Sequence, residues 1–329
     1  MNSLNNFFKQ EPNVLSDSNH ILKDSKGIAV VDFSQIVIST ITAMYKPTET
    51  IDVDMLRHVI LNTLRSNVMK FKSKYPDIVI AIDDGTKTYW RKKEAWYYKY
   101  SRSEGRESSG YDWDTIFEAM TTVKNELKTI FPLIVIGIPG FEADDIISVV
   151  CKTYGVAIPV LIISSDGDFT QLHNKNVKQY SPMQKKYVKV KNGSPKRDLF
   201  FKVVKGDKKD GIASFLASND HYTKEADPDT GKKPRAPSVS AKVLASLIDS
   251  DVNNLDEVKS KVTAEQFDRI KENLLLLDLN NIPTHLEDEI LEELNNYVIP
   301  NGRRLYSYTI KHRLNKIREN IQDFLPVKQ

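Results

Sequence analysis

Four apolar runs, each closed by or leading into acidic residues, constrain this chain more than any other feature. They are "GIAVVDF" (27–33), "DIVIAIDD" (77–84), "LIVIGI" (133–138) ahead of "FEADDIIS", and "IPVLIIS" (158–164) ahead of "SDGDF". Continuous Ile- and Val-rich runs of this kind read as strands buried on both faces, as in parallel sheets. Amphipathic stretches separate them, notably "VDMLRHVILNTLRSNVMKFKSKY" and "FEADDIISVVCKTYG". Strands alternating with helices predict βαβ units and a parallel sheet covered by helices.

The pattern changes near residue 180. "SPMQKKYVKVKNGSP" reads as a short hairpin, and beyond it helical segments dominate, including "AEQFDRIKENLLLLDL" and "TIKHRLNKIRENIQDFL". The stretch 218–238 is too rich in Pro, Gly and charge to form a packed element. These shifts predict a flexible leader over 1–26, an α/β domain over 27–180 and a smaller, mainly helical domain over 181–329. No internal repeat is present.

At 329 residues the chain is long enough for a sizeable core, and its 40% hydrophobic and 28% charged content is that of a soluble globular protein. The single cysteine, Cys151, excludes a disulfide framework and a cysteine-rich zinc site. No apolar run approaches the roughly 18 residues that cross a bilayer, and the leader lacks the basic-then-apolar order of a signal peptide. The expectation is a soluble cytoplasmic protein. Net charge is only +3, but its distribution is uneven: acids gather at strand ends, while Lys and Arg cluster over 87–106 and 184–209. That separation suits a protein holding cations at one place and a polyanion beside it.

In an open parallel sheet, ligands bind beyond the carboxyl ends of the strands. Asp32, Asp83 and Asp166 each follow a predicted strand, and Glu142 and Asp144 open the helix after the third. Asp168 comes one turn after Asp166, and Asp207 and Asp210 in "GDKKDG" stand three apart at a predicted helix start. A lone aspartate in such a place is usually a cap or turn residue. Eight acids at equivalent places would repel one another and resist ionisation unless a cation intervened. Oxygen-only ligands select hard divalent ions, so the expected cofactor is two Mg²⁺, with Mn²⁺ as a substitute. Two such ions suit in-line phosphoryl displacement.

The segment 85–114 holds all three tryptophans, Trp90, Trp96 and Trp113, with Tyr89, Tyr97, Tyr98, Tyr100 and Tyr111. Lys87, Arg91, Lys92, Lys93, Lys99, Arg102 and Arg106 are interleaved with them. Rings that stack on bases among cations that meet phosphates suit a single-stranded nucleic acid; a partly buried helix with a solvated face is the plainer alternative. Tyr89, Trp90, Lys92 and Lys93 are the candidate strand contacts. Arg91 and Lys99, about two turns apart, and Lys87 beside them are the cations expected at the scissile phosphate.

"VVDFSQIVIST", "AIDD", "YWRKKEAWYYK", "FEADDIIS", "ISSDGDFTQLH", "SPMQKKYVKVKNGS" and "KGDKKDGIAS", in that order, resemble the 5′-nuclease superfamily. That superfamily includes flap endonucleases and the 5′-nuclease domain of bacterial DNA polymerase I, and the resemblance is nearest to its phage ribonuclease H branch. It runs from about residue 27 to about 320, and "EADD" with "SSDGDFTQL" is its most specific part. The resemblance implies a PIN-like α/β core and a helical C-terminal domain with a modified helix-three-turn-helix beginning at "GDKKD". It implies a Mg²⁺-dependent 5′→3′ exonuclease and flap endonuclease, with RNase H activity, that removes primers and 5′ flaps in lagging-strand synthesis. It carries over a metal role for Asp32, Asp83, Glu142, Asp144, Asp166, Asp168 and Asp210, with Asp145 and Asp207 in outer positions. It also carries over a phosphate role for Arg91 and Lys99 in an arch over the 5′ strand.

The chain departs from the common bacterial pattern after Asp210, where Gly211, "IASFLAS" and the long insertion stand in place of an asparagine and a glycine-rich turn. The duplex-contact register and any monovalent ion there are therefore not carried over. Lys208 and Lys209, with Lys232, Lys233 and Arg235, are either a phosphate grip or a solvated loop. In the leader, Leu4 followed by Phe7 and Phe8 is similar to the peptides by which replication enzymes dock to sliding clamps, the alternative being an inert tail. Expected partners are forked or flapped DNA, RNA/DNA duplex, a sliding clamp and a single-strand-binding protein, with the chain a monomer in a phage-infected cell and no membrane. Two rival readings are a PIN-type endoribonuclease and a non-catalytic replication accessory that keeps the fold. The first gives no reason for the arch, and the second conflicts with the full set of acids.

Overall fold

The computed structural model describes residues 22–226, 229–230, 232–248 and 255–325, so Leu4, Phe7 and Phe8 lie outside the described residues. Two compact units result. The first comprises the described residues up to Lys87, Gly110–Val188 and those from Asn280 onward; the second comprises Thr88–Ser109 and Lys189–Leu279. This grouping differs from a division at 180 in two ways. Ala95, Tyr97 and Tyr98 share a core with Phe200, Val203 and Val204, which takes 88–109 into the second unit. Leu305, Tyr308, Leu314, Ile317 and Phe324 bury themselves with Leu64, Leu127 and Phe131, which returns the C-terminal segment to the first.

The first unit is built on a six-stranded sheet in the order β3-β2-β1-β4-β5-β6. The strands are β1 Ile28–Asp32, β2 Asp77–Ala81, β3 Ile134–Ile136, β4 Val160–Ile163, β5 Val177–Ser181 and β6 Lys186–Tyr187. β1 to β5 are mutually parallel and β6 is antiparallel to β5. Every residue of β1 and β4 is buried, as their unbroken apolar sequences require. Ala29, Val31, Ile80, Leu161 and Ile163 join one core with the helices Phe33–Met44, Val53–Met69 and Trp113–Ile130. The pleat sends Ile28 and Val30 the other way. The helix Ala143–Tyr154 packs against β1, β2 and β4, and Thr284–Asn296 packs on that helix in turn.

The chain moves from β1 to β2 to β3 on one side, then crosses to β4 on the other side of β1. The reversal of direction therefore lies beyond the carboxyl ends of β1 and β4, the place such sheets offer to a ligand.

The mostly parallel α/β core agrees with the sequence reading, and the differences lie in individual elements. β5, "VKQYS", is a full parallel strand that its Lys and Gln concealed. The helix Phe33–Met44 is rich in β-branched residues and goes unassigned in the sequence; Thr40 and Thr42 offset their own polarity by donating to the carbonyls of Ile36 and Ile38 at 2.8 and 2.9 Å. The expected C-terminal helix over 309–325 is broken at Arg313, whose φ is 52°. Helices Leu305–Lys311 and Asn315–Glu319 flank the break.

In the second unit the helix Pro195–Lys205 ends at Gly206, and "GDKKD" forms a 3₁₀ turn rather than an α-helix start. Gly206 (φ 77°) and Gly211 (φ 72°) bracket that turn in left-handed conformations. Asp207 and Ile212 close it by exchanging backbone hydrogen bonds of 2.8 and 2.9 Å. The insertion forms only a 3₁₀ turn among its described residues, yet it is tied down. His221 is buried with Nε2 3.2 Å from the Pro234 carbonyl, and Ser214 Oγ donates to the Pro237 carbonyl at 3.0 Å.

β5 also contributes the wholly buried Gln179. Its Nε2 donates to the carbonyls of Ser164 at 2.9 Å and Asp166 at 2.6 Å, clamping the chain as it leaves β4. Substituting Gln179→Leu leaves both carbonyls without that donor. We expect a stability loss of about 1–3 kcal/mol in denaturant titration; an unchanged midpoint and slope would show the clamp to be dispensable.

Candidate metal centre and nucleic-acid interface

Asp32 is the last residue of β1 and the cap of the helix that follows, its Oδ1 accepting from Gln35 N at 3.1 Å. Its Oδ2 accepts from the hydroxyl of buried Ser164 at 2.9 Å. The same Ser164 Oγ accepts from Asp166 N at 3.1 Å, and Asp166 Oδ1 accepts from Asp168 N at 3.1 Å. One hydroxyl thus joins the ends of β1 and β4. Asp83, two residues beyond β2, accepts from Ala143 N at 3.0 Å, which brings the start of helix Ala143–Tyr154, with Glu142 and Asp144, to the same edge.

Burial is the first cause that raises the Asp32 carboxyl, to about 7, and the neighbouring charges of Asp83 and Asp166 add to it. Hydrogen bonds from Gln35 and Ser164 oppose the rise without cancelling it. Asp32, Asp83 and Asp166 gather beside Glu142 as an all-oxygen donor set, which fits a hard divalent ion.

Asp145, expected as an outer ligand, is wholly buried, and its Oδ2 accepts from Glu142 N at 3.0 Å. It caps the helix from within. Asp84 likewise serves a turn, accepting from Thr86 N and Oγ1 at 3.1 and 2.6 Å. Lys87 is exposed at the end of this stretch of the first unit.

The second unit holds the remaining candidates. Asp207 forms an ion pair with Lys202 Nζ at 2.6 Å, and Asp210 Oδ1 accepts from Arg102 Nη2 at 2.7 Å. Burial pushes Asp210 up, but Lys99, Arg102 and Lys202 outweigh it and hold the carboxyl below its ordinary value. Lys208 and Lys209 are exposed beside them, and Lys233 pairs with Glu104 at 2.8 Å. Lys99 adopts a left-handed φ of 55° while its N donates to the Asp210 carbonyl at 2.8 Å. Gly211 permits this approach, since a Cβ there would stand 2.9 Å from the Tyr97 carbonyl oxygen.

One cation expected at the scissile phosphate, Arg91, and one expected strand contact, Trp90, are placed otherwise. Arg91 is only 1% exposed; its Nε donates to the Leu276 carbonyl at 3.0 Å and its guanidinium lies 4.4 Å from the centre of the Trp90 ring. A guanidinium so enclosed belongs to the core of the second unit and presents no face to a phosphate. Trp90 is buried with it, and Tyr89 is half-buried, while Lys92 is half-buried and Lys93 exposed. The outward rings are Trp96 and Tyr100, 61% and 56% exposed and packed edge-on with centres 5.8 Å apart.

Sequence reasoning missed Ser164, Gln35 and Gln179, the groups that hold the acids in place. Ser164 and Gln35 lay inside quoted motifs, but nothing in the sequence of β5 set Gln179 apart. Trp96 and Tyr100 were visible only as two rings among eight.

Residues 28–196 match the family described as the 5′-3′ exonuclease N-terminal resolvase-like domain, and residues 193–324 match the family described as the C-terminal part of T4 RNase H. The chain is 40% identical over 302 residues to the ribonuclease H of Enterobacteria phage T4, covering 91% of this chain and 96% of that one. Its fold is similar to that of T5 5′-exonuclease with divalent zinc bound, at TM-score 0.59 and 16% identity, over 82% of this chain and 99% of that one. A bacteriophage T5 flap endonuclease in a pseudo-enzyme–product complex with DNA and metal ions is similar at TM-score 0.60 and 16% identity, over 82% and 97%. The carboxylate edge lies within the matched N-terminal region, and both parts of the T4 architecture are present in order, so this chain belongs to the 5′-3′ exonuclease family as a homologue of phage T4 ribonuclease H.

Proposed function

We propose that the chain is a Mg²⁺-dependent 5′→3′ nuclease that removes RNA primers and 5′ flaps during lagging-strand replication in the cytoplasm of an infected bacterium. The observation that carries the reading is the carboxylate edge, where Asp32, Asp83 and Asp166 gather at the ends of three adjoining strands and burial, with the neighbouring acids, raises Asp32 to about 7. Asp32, Asp83, Glu142, Asp144, Asp166 and Asp168 of the first unit are the proposed ligands. Asp207 and Asp210 of the second are retained as metal candidates. Two divalent ions, when bound, supply an activated water and stabilise the charge on the leaving 3′ oxygen. Ser164 and Gln35 orient Asp32, and Gln179 holds Asp166. Among the described residues no helix is long and apolar enough to cross a membrane.

The 5′ strand is proposed to lie on Trp96 and Tyr100, with Lys92, Lys93, Lys99 and Arg106 meeting its phosphates. Lys208 and Lys209 are proposed contacts to the duplex of a fork or of an RNA/DNA hybrid. A sliding clamp engaged through Leu4, Phe7 and Phe8, and a single-strand-binding protein, are the partners this role calls for.

With a 5′-labelled flap duplex and an RNA-primed duplex, Mg²⁺ is expected to release short 5′ products and EDTA to prevent it. Asp166→Asn should lower turnover by about a thousandfold or more; retained turnover would refute the ligand assignment. Binding to the fork without cleavage would favour the accessory reading.

Because Asp32 is raised from 3.8 to about 7, the metal-free fold keeps a proton there that the unfolded chain has lost. Its contribution to stability therefore declines as pH rises from about 4 to about 7 and is level above. A bound cation must displace that proton. The rise in Tm on adding Mn²⁺ should accordingly grow from pH 5.5 to 8, and Asp32→Asn should flatten the trend. A Tm rise independent of pH in the wild type would sink this account.

Trp96→Ala should weaken binding of a single-stranded oligonucleotide by about 1–3 kcal/mol, the usual range for a base stacked on a ring. Most of the quench of tryptophan fluorescence on binding should be lost in Trp96→Phe, since Trp90 is buried and Trp113 half-buried. An equal quench in both proteins would place the strand elsewhere.

A further inference from the structure

Beyond Gln179, the β5–β6 hairpin has no part in the reading above, although it rises from the same sheet edge as the carboxylates. β5 ends at Ser181 beside the end of β4, with Ser164 N donating to the Tyr180 carbonyl at 3.2 Å. Ser165, the neighbour of Asp166, places its Oγ 2.8 Å from Ser181 Oγ and accepts from Met183 N at 3.3 Å. Gln184 N donates to Ser181 Oγ at 3.2 Å. A second route runs through Gln35, in the helix that Asp32 caps. Its Oε1 accepts from Ser165 N at 2.9 Å and its Nε2 lies 3.6 Å from Met183 Sδ.

The hairpin is also braced from below. Tyr180 packs edge-on to Phe71 and Tyr187, with ring centres 4.8 and 5.8 Å apart, and Lys70 Nζ donates to the Tyr180 hydroxyl at 2.5 Å. On this support Met183 is 64% exposed, and Lys185 (φ 52°) and Lys186 are exposed after it. A methionine this open, yet hydrogen-bonded through its backbone to the turn that carries Asp166, is held at a set place beside the carboxylates. Unbranched thioethers pack well on aromatic faces, apolar side chains press against base steps, and lysines meet phosphates.

We propose that this hairpin tip is a positioning element for the strand being cut: Met183 packs on the face of a base next to the scissile linkage, and Lys185 and Lys186 hold the flanking phosphates. The inference rests on the nuclease reading and deepens it, assigning to Met183 the choice of which linkage meets the carboxylates. The charge of the tip and its continuity with the carboxylate edge favour a nucleic acid over an apolar protein partner.

The test follows cleavage of a 5′-labelled flap duplex with Mg²⁺ at single-nucleotide resolution. Met183→Ala is expected to lower kcat/KM about fivefold, the low end of what one stacked base contributes, and to spread the cut over neighbouring linkages. Met183→Leu should restore the single position, and Lys185→Glu with Lys186→Glu should raise KM with little change in kcat. The Tm rise on adding Mn²⁺ should stay at its wild-type size in Met183→Ala. Wild-type rates and cut positions in both Met183→Ala and the double lysine variant would overturn the proposal and leave the tip to a protein partner. Loss of the Mn²⁺ response in Met183→Ala would also overturn it, because the methionine would then be shaping the ligand site itself. Failure of the wild-type chain to cut with any divalent metal is a separate result, and it removes the nuclease reading on which the proposal stands.

Discussion

The cost of burying carboxylates beside one another organises this protein. Asp32 lies at the end of a strand with no exposed residue, within electrostatic reach of Asp83 and Asp166. Without a cation the arrangement keeps a proton that an ordinary aspartate would have lost. Such a site is tolerated only where the surrounding fold over-determines it. Here a central parallel strand, a helix cap and a serine hydroxyl all act on the one side chain.

The over-determination comes from a small polar scaffold. Ser164 joins the acids at the ends of β1 and β4, Gln35 reaches from the capped helix to Ser165, and Gln179 clamps the same turn from β5. None of these three carries charge, and each is held by elements distant in sequence. The acids therefore sit on rigid supports, which is what a site that must place an ion and a strand together requires. The β5–β6 hairpin is bonded into this scaffold.

The second unit solves a different problem. Its acids are compensated by protein cations, Asp207 by Lys202 and Asp210 by Arg102, with Lys99 adding to the field around Asp210. Its aromatic segment divides by burial. Trp90, Tyr97 and Tyr98 support the unit from inside, and Arg91 is enclosed with them, while Trp96 and Tyr100 remain on the surface. A segment of mixed rings and cations thus serves both as core and as outward face.

The kind of sheet, and the edge at which acids gather, are written in the local sequence. Unbroken runs such as "IAVVD" and "VLII" admit little but buried parallel strands, and an acid directly after such a run must lie at the strand's carboxyl end. Strand period and solvation act locally, so they can be read from neighbours in the chain. The sequence could not reveal β5, because the Lys and Gln of "VKQYS" hide a strand whose partner lies elsewhere. Nor could it show that Asp145 is a cap, that Arg91 is enclosed, that Arg313 breaks the last helix, or that segment 88–109 shares a core with residues 200–277. Those outcomes depend on which distant groups supply hydrogen bonds and apolar cover. Such long-range contacts, unlike local periodicity, exist only once the chain has folded, and tertiary structure alone decided them.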